Sequence, residues 1–340
     1  MNRIPAAIAA ALLLGGACSS SDGDRDPVGP DPILDCPDTS GVASVTLGEF
    51  NTVDATPVRR IVLMGGSTEV DPASRSFVEA AGGGDVLVLR ATGSTTSYNP
   101  YFLSEVDAQP APVSVSTVRI DEPLLSAHDA VMCYVAQAEA VWLAGGDQWD
   151  YVGRWSSELH DSLSALYARG VSIGGTSAGA VVLGEAAFDA SLGSVDSDEA
   201  LADPLSDAVS VTLSPLAQPE LAGWIVDSHF AQRDREGRLL AFLARMLPIT
   251  GRDTVYGIGL DERASIIIEG DAYEVRAVTG RSVWLYRLIG PAPLVEGQPL
   301  DLEVVERIEL VNGATGAWPI AFVEPDTVHV DDGVVVNGLE

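Results

Sequence analysis

Gly170-Val171-Ser172-Ile173-Gly174-Gly175-Thr176-Ser177-Ala178-Gly179-Ala180-Val181-Val182-Leu183-Gly184-Glu185 is the stretch whose reading decides the fold. A short apolar run, Val171 and Ile173, ends in paired glycines, and small residues lead on through Ala180, Val181, Val182 and Leu183. The pattern reads as strand, sharp turn, helix. Gly175-Thr176-Ser177-Ala178-Gly179 fits the G-x-S-x-G elbow, in which a serine sits at the apex of a strained turn. Glycines there accept positive φ and let helix and strand approach without a Cβ between them. Ser177 is expected at the carboxyl end of its strand, with the Ala178 N–H at the helix start facing developing negative charge.

Outward from the elbow, apolar runs alternate with helical patterns. Arg59–Met64, Asp85–Arg90, Val113–Ile120 and Ala140–Ala144 read as strands. Helices are expected over Ser74–Ala81, near Phe102–Val106, over Leu124–Ala138 and over Trp149–Ala168. Glycine turns at Gly65, Gly145 and Gly174 fall at strand ends. Beyond the elbow, residues 189–210 are acidic and loop-like, and Gly223–Asp227 is a strand ending in Ser228-His229-Phe230. A helix with an apolar face begins near Arg233, and Tyr256–Leu260 and Ser265–Glu269 are strands around Asp261-Glu262-Arg263. Short β runs then continue to Val336. Such alternation implies an α/β fold, a mostly parallel sheet flanked by helices. Sites in these sheets form at the carboxyl ends of strands.

The chain has 340 residues and a formal net charge of −30, and all 19 basic residues are arginine. This balance excludes nucleic acid and anionic membrane surfaces as partners, since both require a positive footprint. Arg3, the apolar run Ile4–Leu14 and Gly15-Gly16-Ala17 read as an export signal too short to span a bilayer. Cys18 with the serines after it resembles a lipoprotein acceptor cysteine, although Gly15 replaces the usual leucine. The expected location is the cell envelope or the extracellular space, with any membrane contact made through that anchor. Lipidation of Cys18 leaves Cys36 and Cys133 as a disulfide pair. The domain plan is a signal peptide over 1–18, a tether and irregular arm over 19–55, an α/β domain over 56–280 and a β-rich C-terminal extension over 281–340.

A serine needs a base within hydrogen-bond reach to act as a nucleophile. Of His128, His160, His229 and His329, only His229 sits at the end of a core strand, level with Ser177. The acid that fixes the imidazole tautomer is left open among Asp196, Asp198 and Glu199 on one side and Asp261 and Glu262 on the other. The order serine, acid, histidine of other elbow hydrolases favours the first group. Arg233, Arg235 and Arg238 open a helix whose dipole they oppose, which points to a clamp for a substrate carboxylate. No metal cluster is recognisable.

Gly174–Ala180, Ala144-Gly145-Gly146-Asp147-Gln148, Asp227-Ser228-His229-Phe230, Gln232-Arg233-Asp234-Arg235 and Gly237-Arg238 together resemble the cyanophycinases. These are serine hydrolases of the dipeptidase E type on a flavodoxin-like fold similar to class I glutamine amidotransferases. The resemblance covers roughly Arg59–Glu269, including Gly257-Ile258-Gly259-Leu260-Asp261-Glu262. It implies Ser177 as nucleophile, His229 as base and Glu199 as the acid, with the N–H groups of Gly146 and Ala178 as the oxyanion hole. It also implies Asp147, Gln148, Asp227, Arg233, Arg235 and Arg238 as substrate-binding residues, and no cofactor. The implied substrate is a peptide or isopeptide polymer, poly-aspartate bearing arginine on its side chains, cut to β-aspartyl-arginine units. A homodimer is compatible with this reading. An aspartyl dipeptidase acting on short Asp-X peptides, or a catalytically silent surface binding protein, are the alternatives. Ser228 in place of glutamine, a long acidic loop before Pro204, the export signal and the C-terminal extension depart from the family pattern.

Overall fold

The computed structural model describes residues 41–50 and 53–339. The expected signal peptide, most of the arm, Cys18 and Cys36 lie outside the described residues. Strands β1 (Ala43–Gly48), β2 (Ile61–Met64), β3 (Asp85–Arg90), β4 (Ser114–Arg119), β5 (Ala140–Leu143) and β6 (Ser172–Thr176) precede the elbow. After it come β7 (Ala186–Phe188), β8 (Val211–Leu213), β9 (Trp224–Asp227) and β10 (Thr254–Leu260). The remainder adds β11 (Ala264–Glu269), β12 (Ala272–Ala277), β13 (Ser282–Ile289), β14 (Leu302–Val311), β15 (Thr315–Ala317), β16 (Asp326–Asp331) and β17 (Val334–Val336). The helices are α1 (Asp71–Glu79), α2 (Tyr98–Pro100, continued as a π-helix to Glu105), α3 (Asp129–Ala136) and α4 (Ser157–Ala168). They continue with α5 (Ala178–Val181), α6 (Ser197–Ala202) and α7 (Glu236–Thr250).

One sheet runs β1-β4-β3-β5-β6-β2-β11-β12-β15. Its five central strands, β4 to β2, are parallel, as the alternation of strands and helices requires. Antiparallel strands extend it at both edges. A second sheet, β17-β16-β14-β13-β10-β9-β7-β8, was not expected. Its β9 lies parallel to both β10 and β7, and the other neighbours are antiparallel. Alternate residues of β2 sort onto opposite faces, as strand geometry dictates. Ile61 and Leu63 join a core shared with Trp224, Val226, Ile258 and Leu260 of the second sheet, while Val62 and Met64 pack with Phe77 of α1. The far face of the second sheet is covered by α7 through Leu239, Phe242 and Leu243.

Several boundaries differ from expectation for local reasons. The single helix expected over Leu124–Ala138 breaks at His128, whose Nδ1 accepts from the Ala130 N–H at 3.1 Å and caps α3. The one expected over Trp149–Ala168 breaks at Ser156, whose hydroxyl caps α4. The helix expected near Arg233 starts at Glu236, and Gly174 lies within β6 rather than after it. Residues 189–210 are not all loop: Asp196 and Glu199 form a capping box that starts α6. The expected boundary at 280 falls inside one sheet, because β13 pairs with β10 along its whole length. Strands β13, β14, β16 and β17 are therefore built into the second sheet, while β15 adds to the edge of the first. No helix among the described residues is long and apolar enough to cross a membrane.

Candidate active site

Ser177 joins β6 to α5 with φ 52° and ψ −120°. A residue with a Cβ is held there against a local cost of about 1–3 kcal/mol. Its N–H donates to the Met64 carbonyl at 3.0 Å, and its own carbonyl accepts from Ala180 and Val181. Close approach makes the flanking glycines obligatory. A Cβ at Gly179 would sit 2.0 Å from the Leu143 carbonyl oxygen, and one at Gly175 would sit 2.4 Å from the Gly179 carbonyl.

His229 reaches the serine from the other sheet. It lies just past β9 with φ 50°, and its N–H donates to the Gly65 carbonyl at 2.8 Å. Its Nε2 is 2.8 Å from Ser177 Oγ, and its Nδ1 is 2.7 Å from Glu262 Oε1. An ionised carboxylate only accepts hydrogen bonds, so the proton sits on Nδ1 and Nε2 offers its lone pair to the serine hydroxyl. Burial pulls the imidazole pKa below its ordinary 6.5, the Glu262 hydrogen bond opposes this, and the Arg233 and Arg235 charges reinforce it. The ring is therefore a free base at neutral pH. Gly66, at φ 96°, completes the contact: a Cβ there would fall 2.5 Å from His229 Cε1 and 3.1 Å from Ser177 Cβ.

The carboxylate behind His229 is Glu262, and Glu199 is not the partner. Glu199 is an exposed N3 residue of α6 whose side chain accepts from the Asp196 N–H at 3.2 Å. Its acidity serves a helix start, where negative charge meets the positive end of the dipole. Glu262 follows β10, and β10 runs beside β9 with Gly259 opposite Asp227. Residues just past two adjacent parallel strands emerge side by side, which brings Glu262 to His229. That pairing is the signal that sequence order alone hides.

Ser177 and His229 open onto a cavity of 260 Å³. Gly146, Asp147, Gln148, Ala178, Ser228, Arg233, Arg235 and Arg238 are among the residues that line it. Among the described residues, neither the Gly146 nor the Ala178 N–H donates to a protein group. Both are thus available to an oxyanion. Asp147 turns its Oδ1 to the Trp149 N–H at 2.9 Å, capping the turn it opens.

The arginines divide into separate roles. Arg238 is buried and saturated: its Nε and Nη2 bind the two oxygens of Asp227 at 2.7 and 2.5 Å. Its Nη1 donates to Val195 O at 3.1 Å, and its guanidinium lies over the Phe188 and Phe242 rings. Asp227 therefore lies beneath the cavity as an anchor for Arg238. Arg235 donates to Ser228 O at 2.7 Å, and burial pushes its pKa down to about 10, leaving it charged at neutral pH. Arg233 is exposed, and its guanidinium makes no hydrogen bond or ion pair among the described residues. Sequence reasoning did not single out Phe188, Gly193 and Ser194, which also line the cavity. Cys133, on α3, is disulfide-bonded, with its partner outside the described residues.

Comparisons with known proteins place the chain in a family and a fold. The description of Peptidase family S51 matches residues 91–276. A curated cyanophycinase of Geminocystis herdmanii is 31% identical over 142 residues, covering 41% of this chain and 46% of the relative. The match thus spans about half the length of that relative. The crystal structure of a peptidase from an acI-B1 Actinobacterium superposes with a TM-score of 0.50 at 15% identity, covering 77% of this chain and 97% of the other, a likeness of fold. The matched region takes in Ser177, His229 and Glu262 and exceeds half of the chain, and the protein belongs to peptidase family S51.

Proposed function

We propose that this protein is an exported serine peptidase that cleaves the poly-aspartate chain of cyanophycin-type polymers to β-aspartyl-arginine dipeptides, with Ser177, His229 and Glu262 as its catalytic triad. The observation that carries the reading is the unbroken hydrogen-bonded line from Ser177 Oγ through both ring nitrogens of His229 to Glu262. Ser177 Oγ attacks the scissile carbonyl as its proton passes to His229 Nε2, and Glu262 stabilises the imidazolium that forms. The N–H groups of Gly146 and Ala178 receive the oxyanion, and loss of one such donor raises a barrier by about 3–4 kcal/mol. The imidazolium then protonates the departing amine, giving an ester on Ser177. A water activated by the same imidazole hydrolyses that ester and regenerates the hydroxyl.

The cavity supports a substrate that carries a free carboxylate near the scissile bond, since Arg233 and Arg235 provide cationic donors near the serine. Arginine favours paired hydrogen bonds to a carboxylate. The cyanophycinase named above supports the polymer as the substrate. The test compares release of dipeptide from insoluble cyanophycin with cleavage of short α-linked Asp-X peptides. Release from the polymer that disappears in Ser177→Ala is expected. Cleavage of Asp-X alone would replace the polymer by dipeptides, and cleavage of neither would remove the peptidase reading.

A further inference from the structure

We infer that Gln232 and Asp261 form a reciprocal clamp that sets Glu262 on His229, so that both are positioning residues for the triad. This rests on the hydrolytic reading of Ser177, His229 and Glu262. Two loops meet here, one after β9 carrying His229 and one after β10 carrying Glu262. Each gives a side chain to the other's backbone. Gln232, from the histidine loop, accepts from the Glu262 N–H through Oε1. Asp261, from the glutamate loop, accepts from the Ala231 N–H at 3.0 Å through Oδ1, and its Oδ2 accepts from the Ser282 N–H at 3.0 Å. A backbone bond from Phe230 N–H to the Leu260 carbonyl at 3.0 Å closes the same seam.

The geometry gives each partner a definite job. Asp261 is buried and bridges the histidine loop to the start of β13, fixing that loop on the second sheet. Gln232 grips the amide of the residue whose carboxylate must meet Nδ1, so backbone drift of Glu262 is resisted at its own nitrogen. The Nε2 of Gln232 is buried without a partner among the described residues, so the acceptor end of the amide carries its contribution. The charged groups acting on His229 are Glu262, Arg233 and Arg235. Of these, Glu262 alone raises the imidazole pKa. A looser Glu262 therefore leaves a ring that protonates at lower pH and an imidazolium that is poorly stabilised.

The experiment follows the rate at which a fluorophosphonate probe acylates Ser177 across the acid limb, in the full chain and in Gln232→Met and Gln232→Glu. Methionine keeps the volume and removes the strong acceptor, whereas glutamate retains an acceptor. The expected result for Gln232→Met is a plateau lowered by about 10- to 100-fold, as small misplacements of reacting groups produce. Its midpoint moves to lower pH, while Gln232→Glu stays near the wild-type plateau. The His229 Nδ1–H resonance reads the same clamp without chemistry, and it is expected to move upfield in Gln232→Met. An unmoved midpoint and resonance in Gln232→Met would overturn the clamp, including the case in which a lowered melting temperature alone slows acylation. A wild-type chain that the probe never acylates would instead overturn the hydrolytic reading, and the resonance would still decide the clamp.

Discussion

Glu262 and Glu199 carry the same functional group, and position alone decides which one His229 uses. Glu262→Gln should cut turnover by about 100-fold or more, because the amide no longer enforces the Nδ1–H tautomer or stabilises the imidazolium. The sign of its pH effect follows from the Glu262 hydrogen bond, which raises the imidazole pKa. Losing it moves the acid limb of the rate profile to lower pH. Glu199→Gln should leave turnover unchanged and cost at most about 0.5 kcal/mol at the start of α6. Steady-state kinetics and thermal melts of the two variants separate these outcomes. Gly66→Ala makes a sharper steric test, since the new methyl would occupy the place of the His229 ring. It should destabilise the fold by about 1–3 kcal/mol and lower kcat more than it raises KM. Wild-type kinetics in that variant would show that the ring is not fixed there. At this scale Ser177 and His229 were legible, because a glycine-framed turn and a strand end mark them directly. Glu262 was legible only as one of several open candidates, since its place beside His229 arises from a pairing between β9 and β10 that no local pattern encodes.

Elements meet at the cavity through one buried ion pair, Arg238 of α7 with Asp227 of β9. Arg238→Met would leave Asp227 buried, relieved by the Ser228 N–H at 2.9 Å and by Arg235 at 3.5 Å. Removing one member of such a pair costs about 3–5 kcal/mol. Calorimetry should show a large fall in melting temperature, and a fall of only a degree or two would contradict the assigned role. Strands rich in Val, Ile and Leu were readable because a strand buried on both faces must be apolar throughout. Helix boundaries were harder, because His128, Ser156 and Asp196 act as caps inside stretches whose periodicity or charge suggested otherwise. A capping side chain works through its backbone conformation, which composition does not reveal.

Across the whole molecule, the parallel sheet was foreseen and the second sheet was not. Its strands all lie between Ala186 and Val336, but the sequence pattern presents them as an acidic loop, isolated core strands and a C-terminal run of short β segments rather than as neighbours in one sheet. One consequence is that residues 56–280 should not fold alone. Without 281–340, β10 loses β13, and the buried Glu236 loses the Tyr286 hydroxyl, Arg307 and the Leu339 N–H. Circular dichroism and limited proteolysis of that fragment should report an unfolded chain, and a cooperative melt would contradict this. The account as a whole depends on two sheets delivering a hydroxyl and an imidazole to one point. Peptide mapping of the fluorophosphonate adduct tests this most directly. The account predicts a single adduct at Ser177 that is lost when His229 is replaced by alanine in the folded protein. An adduct on another serine, or undiminished modification of Ser177 without the imidazole, would contradict it.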